Sequence, residues 1–530
     1  MTRAPKIIFA IMVMTAFLCG GIAKADELED RAAAYEEWFN TYHVSPYGGT
    51  GYVHFAAPGS DEVIGYSLSD STMWTGTYLA AESFRYAVTK DPEAKANAIR
   101  TVHALDAHLQ ITQVPGFIAR FAGPDEFPWN AFYLGSDRYV KGAGEWEGSF
   151  WINNTSRDQY TGWFMGMAAA YDLIDDEPAR ELIRQDVKEV IDNLKADNYW
   201  IIGEDGMPTD AAPHAIPIMR LDWHLIASHI LDDTEYQNQY LDRWEKDQDQ
   251  VEISSFSWFN KYQEYFGIHL THQTYYNLFR LERNPERRAY YLKAFHDQVR
   301  WVVEGTHNIF FDEIYLANCE RAGECRNYDS ALGDLRAQIP DFQEPPERDV
   351  PKDIPEWPLD PLSIFLSNLI DILGIRDLID IEPQTKDPRP VKDRCPESFI
   401  WQKTPYIVKC QGGDGTEVYP GIDYMIAYWM GRYYNLIEPG NPNPIYWPPD
   451  EGADDDSADD DSGDDDSGDD DAAVDDDTLD DDSANDDDAA GDDDHTHTDD
   501  GPFTNHHSTG ATSFGPAAKN NESQCGGCAL

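Results

Sequence analysis

Basic side chains are scarce. Against 98 Asp and Glu, the 530-residue chain carries only 40 Lys and Arg, for a formal net charge of -58. Phosphate backbones are bound by clusters of Lys and Arg, so no nucleic acid partner is expected. Long apolar runs are lacking as well. Beyond the first residues the best candidate, Leu362 to Ile381, is broken by Asp371, Arg376, Asp377 and Asp380, so no transmembrane segment is expected. Cysteine numbers only seven, enough to staple loops but not to build a fold. No HExxH signature is present, Cys319, Cys325, Cys395 and Cys410 lack paired C-x-x-C spacing, and neither a metal nor a cofactor is expected.

The two ends stand apart from the body. Arg3 and Lys6, an apolar run from Ile7 to Leu18, and Ala23-Lys24-Ala25 have the form of a cleaved secretory signal over residues 1–25. The expected location is therefore periplasmic, extracellular or at the cell surface. Export into an oxidising compartment makes Cys319–Cys325 and Cys395–Cys410 the simplest disulfide pairs, with a zinc site from the same four as the weaker alternative. Asp450 to Asp500 holds 28 acidic residues and no Lys or Arg. Self-repulsion at that density predicts a disordered tail over 448–530, associating weakly with divalent cations. Its terminal Cys525-Gly-Gly-Cys528 cluster resembles a surface-sorting tag, which implies cell-surface attachment through the tail.

What is abundant is aromatic and helical. The chain has 15 Trp, 29 Tyr and 23 Phe, and residues 26–447 read as paired helices. Ser71 to Val88 is followed by a helix opening at Asp91-Pro92; Arg157 to Ile174 by one opening at Glu177-Pro178. Pairs at Pro213–Leu231 with Thr234–Lys246, and His269–Leu281 with Pro285–Val303, continue the pattern, and Gly421–Leu436 ends it. The helix from Asp26 to Tyr42 closes the set. In each pair the first helix is apolar nearly all round and must be buried, while the second carries charge on one face and covers it. This alternation predicts an all-α double helical toroid in which Gly76, Gly162 and Gly166 let inner helices approach closely. Starts near 71, 157, 213, 269 and 421 are too irregular for a plain solenoid. Proline-rich residues from Ile339 lead into the Leu362–Ile381 insertion, and 339–381 reads as an excursion from the ring.

The segments DSTMWTGTYLAAESFRYAV and SRDQYTGWFMGMAAAYDL resemble inner helices of the six-hairpin glycosidase superfamily. Trp151 to Tyr171 is similar to the W-x-R-G-Q-x-W-x-x-Y-G pattern of unsaturated glucuronyl hydrolases, with Asp158 standing where that pattern has glycine. The resemblance implies an all-α fold of (α/α)6 type, a double helical toroid acting on carbohydrate.

In such a ring the starts of the inner helices share one mouth, where free N–H groups and positive dipole ends gather. The residues there are Asp70 and Trp74; Arg157, Asp158 and Gln159; Asp222 and His224; His269 and His272; and Asp423. Glycoside hydrolysis needs one carboxyl group to protonate the leaving oxygen and a second to activate water or attack. Asp158 and Asp70 are the favoured pair, with Asp222 a third catalytic candidate. Trp74 supplies a face for a sugar ring. Arg120, at the end of the loop Val114–Arg120, is expected to return over the cavity and bind a substrate carboxylate, with Arg157, Gln159, His224, His269, His272 and Asp423 as further contacts. Each acid alone is ordinarily a helix cap. The reading is an exported glycoside hydrolase on a polysaccharide or oligosaccharide, including uronic-acid types. A polysaccharide lyase using His, Tyr and Arg and a non-catalytic carbohydrate-binding surface protein are the alternatives.

Overall fold

The computed structural model describes residues 27–257, 264–345, 347, 355–376, 381–394, 399–406 and 414–442. The expected signal segment, Cys395, Cys410 and the acidic tail lie outside the described residues. Helix α1 covers 27–42. Then follow β1 (Tyr52–Phe55), β2 (Val63–Ser67), α2 (Ser71–Thr89), α3 (Pro92–Gln110), β3 (Phe121–Pro124), β4 (Tyr139–Lys141) and β5 (Ser149–Ile152). Next come α4 (Arg157–Leu173), α5 (Glu177–Ala196), α6 (Pro217–Leu231), α7 (Thr234–Asp247) and the single turn α8 (Val251–Ser254). The chain continues with α9 (Phe266–Leu281), α10 (Pro285–Phe295), α11 (Trp301–Val303), α12 (Ile309–Leu316), α13 (Cys319–Ala322), α14 (Tyr328–Gln338) and α15 (Pro361–Leu373). It ends with β6 (Glu417–Val418) and α16 (Ile422–Tyr433).

The molecule is mainly helical, and the helix pairs lie where the apolar periodicity put them. Helix α2 is buried over nearly its whole circumference, whereas α5 and α7 bury a single face. The covering helices start with side-chain caps: Asp91 accepts from Glu93 N, Asp176 from Ala179 N, Asp233 from Glu235 N, and Asn284 from Glu286 N and Arg287 N. The buried helices α2, α4, α6, α9 and α16 have no side-chain cap from the residue before them. Contacts run from α2 to α4, α4 to α6, α6 to α9, α9 to α12, α12 to α16, and α16 back to α2. At the α2–α4 crossing the backbones meet through Gly76, Gly162 and Gly166, and a Cβ at Gly76 would lie 2.0 Å from Gly162 O. One apolar core runs from Leu28 in α1 to Ile437 beyond α16.

Three features depart from the expectations. The pairing of α12 with α14 fills a stretch read only as connection, because an eight-residue apolar run does not by itself declare a helix. The Leu362–Ile381 insertion forms α15, which starts at Pro361 and ends at Leu373. The fold is not purely helical either. Strands β2, β1 and β6 form one antiparallel three-stranded sheet, and β3, β5 and β4 another. The sheets share a small second core built on Trp129, whose ring stacks on Tyr66 at 3.8 Å. They set the approach to α2 and α4: β2 leads into Asp70, β3 follows directly on Arg120, and β5 ends just ahead of Asn154. Cys319 and Cys325 form the expected disulfide.

Candidate active site

Asp70 stands at the N-cap of α2 but makes no capping bond. Its Oδ1 accepts hydrogen bonds from Arg120 Nη1 and Gln159 Nε2, each at 3.0 Å. The cap is replaced from outside: Met73 N donates to Gln159 Oε1 at 3.1 Å, and Thr72 N to the carbonyl of Arg120 at 2.9 Å. Arg120 is itself fixed. Its Nε donates to Asn154 O and its Nη1 to Ser69 O, both at 2.6 Å, while Arg120 N donates to Ile152 O. The side chain is 90 % shielded from solvent.

Asp158 lies in the first turn of α4 and retains an opening to solvent, although protein surrounds most of it. Burial raises its carboxyl above the usual range, the negative charge of Asp70 adds to that, and Arg157 and Arg120 pull the other way. The two acids are thus close enough to repel each other. Arg157 beside them donates Nη1 to His214 O at 3.3 Å. Tyr133 reaches the same turn from the 125–138 loop, where its hydroxyl accepts from Leu68 N at 2.8 Å.

One helical turn past Asp70, Trp74 lines a pocket with Tyr52, Phe399, Tyr419, Gly421 and Asp423. The Trp74 ring stacks on Phe399 at 4.7 Å, and Tyr52 meets Tyr419 edge-on at 4.7 Å. Tyr52 and Tyr419 are the partly exposed rings of this group. The carboxylate Oδ2 of Asp423 accepts from Ile400 N at 3.0 Å, which holds the turn presenting Phe399.

Asp70, Arg120, Arg157, Asp158 and Gln159 therefore come together, with Trp74 beside them. Trp74 and Gln159 are buried, however, the ring against Phe399 and the amide between Met73 N and Asp70, so neither is open to a substrate as expected. The other candidates need correction. Arg120 has its guanidinium committed to Asp70 and two carbonyls, so it positions a carboxylate of the protein rather than one of a substrate. Asp222 lies in the second turn of α6, wholly buried, with its carboxyl pushed well above the usual range by desolvation and only partly relieved by Asn277 and Arg280. It does not face the opening. His224 is buried against Tyr199 Oη at 2.9 Å, and His272 lies on Phe311 at 3.9 Å with Nδ1 bonded to Ile268 O. His269 is enclosed by Trp74, Phe399 and Phe310. Desolvation pushes all three imidazoles down to about 3, so they are neutral core groups. Asp423 is buried and serves the Ile400 turn.

Sequence reasoning missed Tyr52, Tyr419, Tyr133 and Asn154. Each reaches the site from a strand end or loop rather than from a helix start, and no local pattern marks them. Among the described residues no group of His, Cys, Asp and Glu has the arrangement of a metal site. Comparison with known proteins finds no matching family model and no matching curated protein.

Proposed function

We propose that this chain is an exported carbohydrate-active enzyme, a glycoside hydrolase built on an (α/α)6-type toroid. The succession of helix contacts that returns from α16 to α2 supports the ring. The single observation that carries the enzymatic reading is the release of Asp70 from capping duty. A carboxylate kept at a helix start, supplied with two donors while Gln159 does its capping for it, is arranged for something other than helix stability. Beside it, Asp158 keeps its proton to higher pH than an ordinary carboxyl. In this reading Asp158 protonates the departing glycosidic oxygen, and Asp70 activates water or attacks the anomeric carbon. Tyr52 and Tyr419, the partly exposed rings, supply faces for sugar rings, with Trp74 buried behind them against Phe399. The burial of His224, His269 and His272 weighs against the lyase alternative.

The test is turnover on a panel of neutral and uronate-containing polysaccharides, read as new reducing ends and as the ultraviolet absorbance of unsaturated sugars. Wild type releases reducing ends without the absorbance. Asp158→Asn and Asp70→Asn each lower the rate by about 10²–10⁴-fold with unchanged far-UV circular dichroism. Full activity in either variant removes that residue from the mechanism. Binding with no products across the panel makes the protein a carbohydrate-binding one.

A further inference from the structure

Each strand of the β2-β1-β6 sheet sends alternate residues inward: Val53, Phe55, Tyr66, Leu68 and Val418 enter the second core. The register Tyr52↔Ser67, His54↔Gly65 and His54↔Glu417 gathers the other side chains on the opposite face. Tyr52, on that face, also lines the Trp74 pocket with Tyr419. The next residue of β1 on the same face is His54, about 7 Å further along, a step comparable to one sugar unit. The sheet face is therefore continuous with the candidate active site.

Polar groups occupy that step. Oε1 of Glu417 accepts from Ser67 Oγ at 3.1 Å and lies 3.2 Å from His54 Nε2, which donates to Ser67 Oγ at 2.7 Å. These contacts use one imidazole nitrogen and one carboxylate oxygen. Among the described residues no bond occupies His54 Nδ1 or Glu417 Oε2, and the two side chains are 22 and 36 % exposed. Burial acts to raise the Glu417 carboxyl, but the bonds and charge of His54 and the bond from Ser67 hold it below the usual range. It is an acceptor at neutral pH. A serine beside a histidine and an acid suggests a second hydrolytic centre, yet in such a triad the acid binds the ring nitrogen that the serine does not. Here both share Nε2, which carries the proton, so Ser67 has no base.

Phe132 completes the strip. Its ring lies over Gly65, where a Cβ would be 2.5 Å from Phe132 Cζ, meets His54 edge-on at 4.9 Å and is 48 % exposed. Tyr133 ties the same loop to Leu68 N, on the stretch that leads into Asp70. An open aromatic ring beside a free acceptor pair suits a sugar, whose C–H face packs on the ring while its hydroxyls donate to Nδ1 and Oε2. None of these side chains is Lys or Arg and Glu417 is an anion, so a neutral unit fits and a uronate is repelled.

We propose that the outer face of this sheet is a further sugar subsite, in which His54 and Glu417 bind the hydroxyls of a neutral unit of the glycan that is cleaved at Asp70 and Asp158. The proposal rests on the hydrolase reading of that site and adds the length and neutrality of the substrate to it.

The test uses the full chain and size-graded oligomers, from disaccharide upward, of each polysaccharide in the panel. Turnover is read as kcat/KM and binding by calorimetry. In wild type both rise by about tenfold or more at the length that reaches His54, and the rise is confined to oligomers with a neutral unit there. His54→Ala/Glu417→Ala abolishes the rise, mainly through KM, with unchanged far-UV circular dichroism. If that variant fails to fold, Glu417→Gln, which keeps the side chain's size, decides by the same comparison. A wild type indifferent to length, or a rise that the substitutions leave intact, overturns the subsite. If no oligomer is cleaved, the hydrolase reading falls and affinity alone decides: a length-dependent gain lost in the variant supports the subsite, and equal or absent binding at every length overturns it.

Discussion

At the scale of single residues, the arrangement around Asp70 is a division of labour between two helices. Gln159 closes the first turn of α2 through its carbonyl oxygen and orients Asp70 through its amide nitrogen, while Arg120 ties the same carboxylate to the end of β5. A guanidinium presents its donors in a rigid fork, which an ammonium cannot copy. Arg120→Lys is accordingly expected to keep KM within about twofold and to lower kcat on the order of 10²-fold, through misplacement of Asp70. Asp222 gives a prediction about stability. The folded chain holds there a proton that the unfolded chain gives up near the ordinary value of 3.8. Its contribution therefore falls as pH rises from that value toward its folded pKa. Asn in its place carries no ionisable proton. Denaturant unfolding at several pH values should show Asp222→Asn flattening the decline by about 1.4 kcal/mol per pH unit over that window.

At the scale of elements, capping separates the covering helices from most of the buried ones. Asn284 satisfies two N–H groups at the start of α10, whereas Ser156 makes no side-chain cap for α4. Asn284→Ala should cost about 1 kcal/mol in chemical denaturation, and Ser156→Ala much less. The α2–α4 crossing is less tolerant. A Cβ on Gly166 would sit 2.4 Å from Gly76 O and within 3 Å of Gly76 Cα and C, backbone atoms that cannot swing away. Gly166→Ala forces the two backbones apart and is expected to destabilise by about 3 kcal/mol or more, measured as a shift in urea midpoint at constant m-value.

At the scale of the whole molecule, α16 packs on both α2 and α12, and Tyr424 stacks on Tyr35 of α1 at 5.4 Å. The last described helix thus touches the first. An open stack of helix pairs loses only its final unit when shortened, and its remaining repeats stay folded. Here removal of everything after Pro420 exposes faces of α1, α2 and α12 together. The truncated chain is expected to lose its cooperative thermal transition altogether, as seen by circular dichroism. A sharp transition in the shortened protein would remove the support for a closed ring.

Helix pairs, their order and the glycine contacts were legible in the sequence because helical burial has a short period: a residue and its neighbours three and four positions on share one fate. The same locality made Asp70, Asp158 and Gln159 visible as helix-start residues. It also misled, since Asp222, His224, His269 and His272 hold similar places in sequence, yet their helices turn those side chains into the core. Which helix start faces the opening depends on axial rotation and on sheets whose partners lie far apart along the chain, such as Val53 with Val418. Composition by itself determined the excess of acid, and among the described residues no helix is long and apolar enough to cross a membrane, as the broken apolar runs implied. Only tertiary packing decided that Arg120 serves Asp70, that Gln159 caps a helix other than its own, and that α15 turns its leucines outward, because each of these depends on contacts between segments that no local repeat relates.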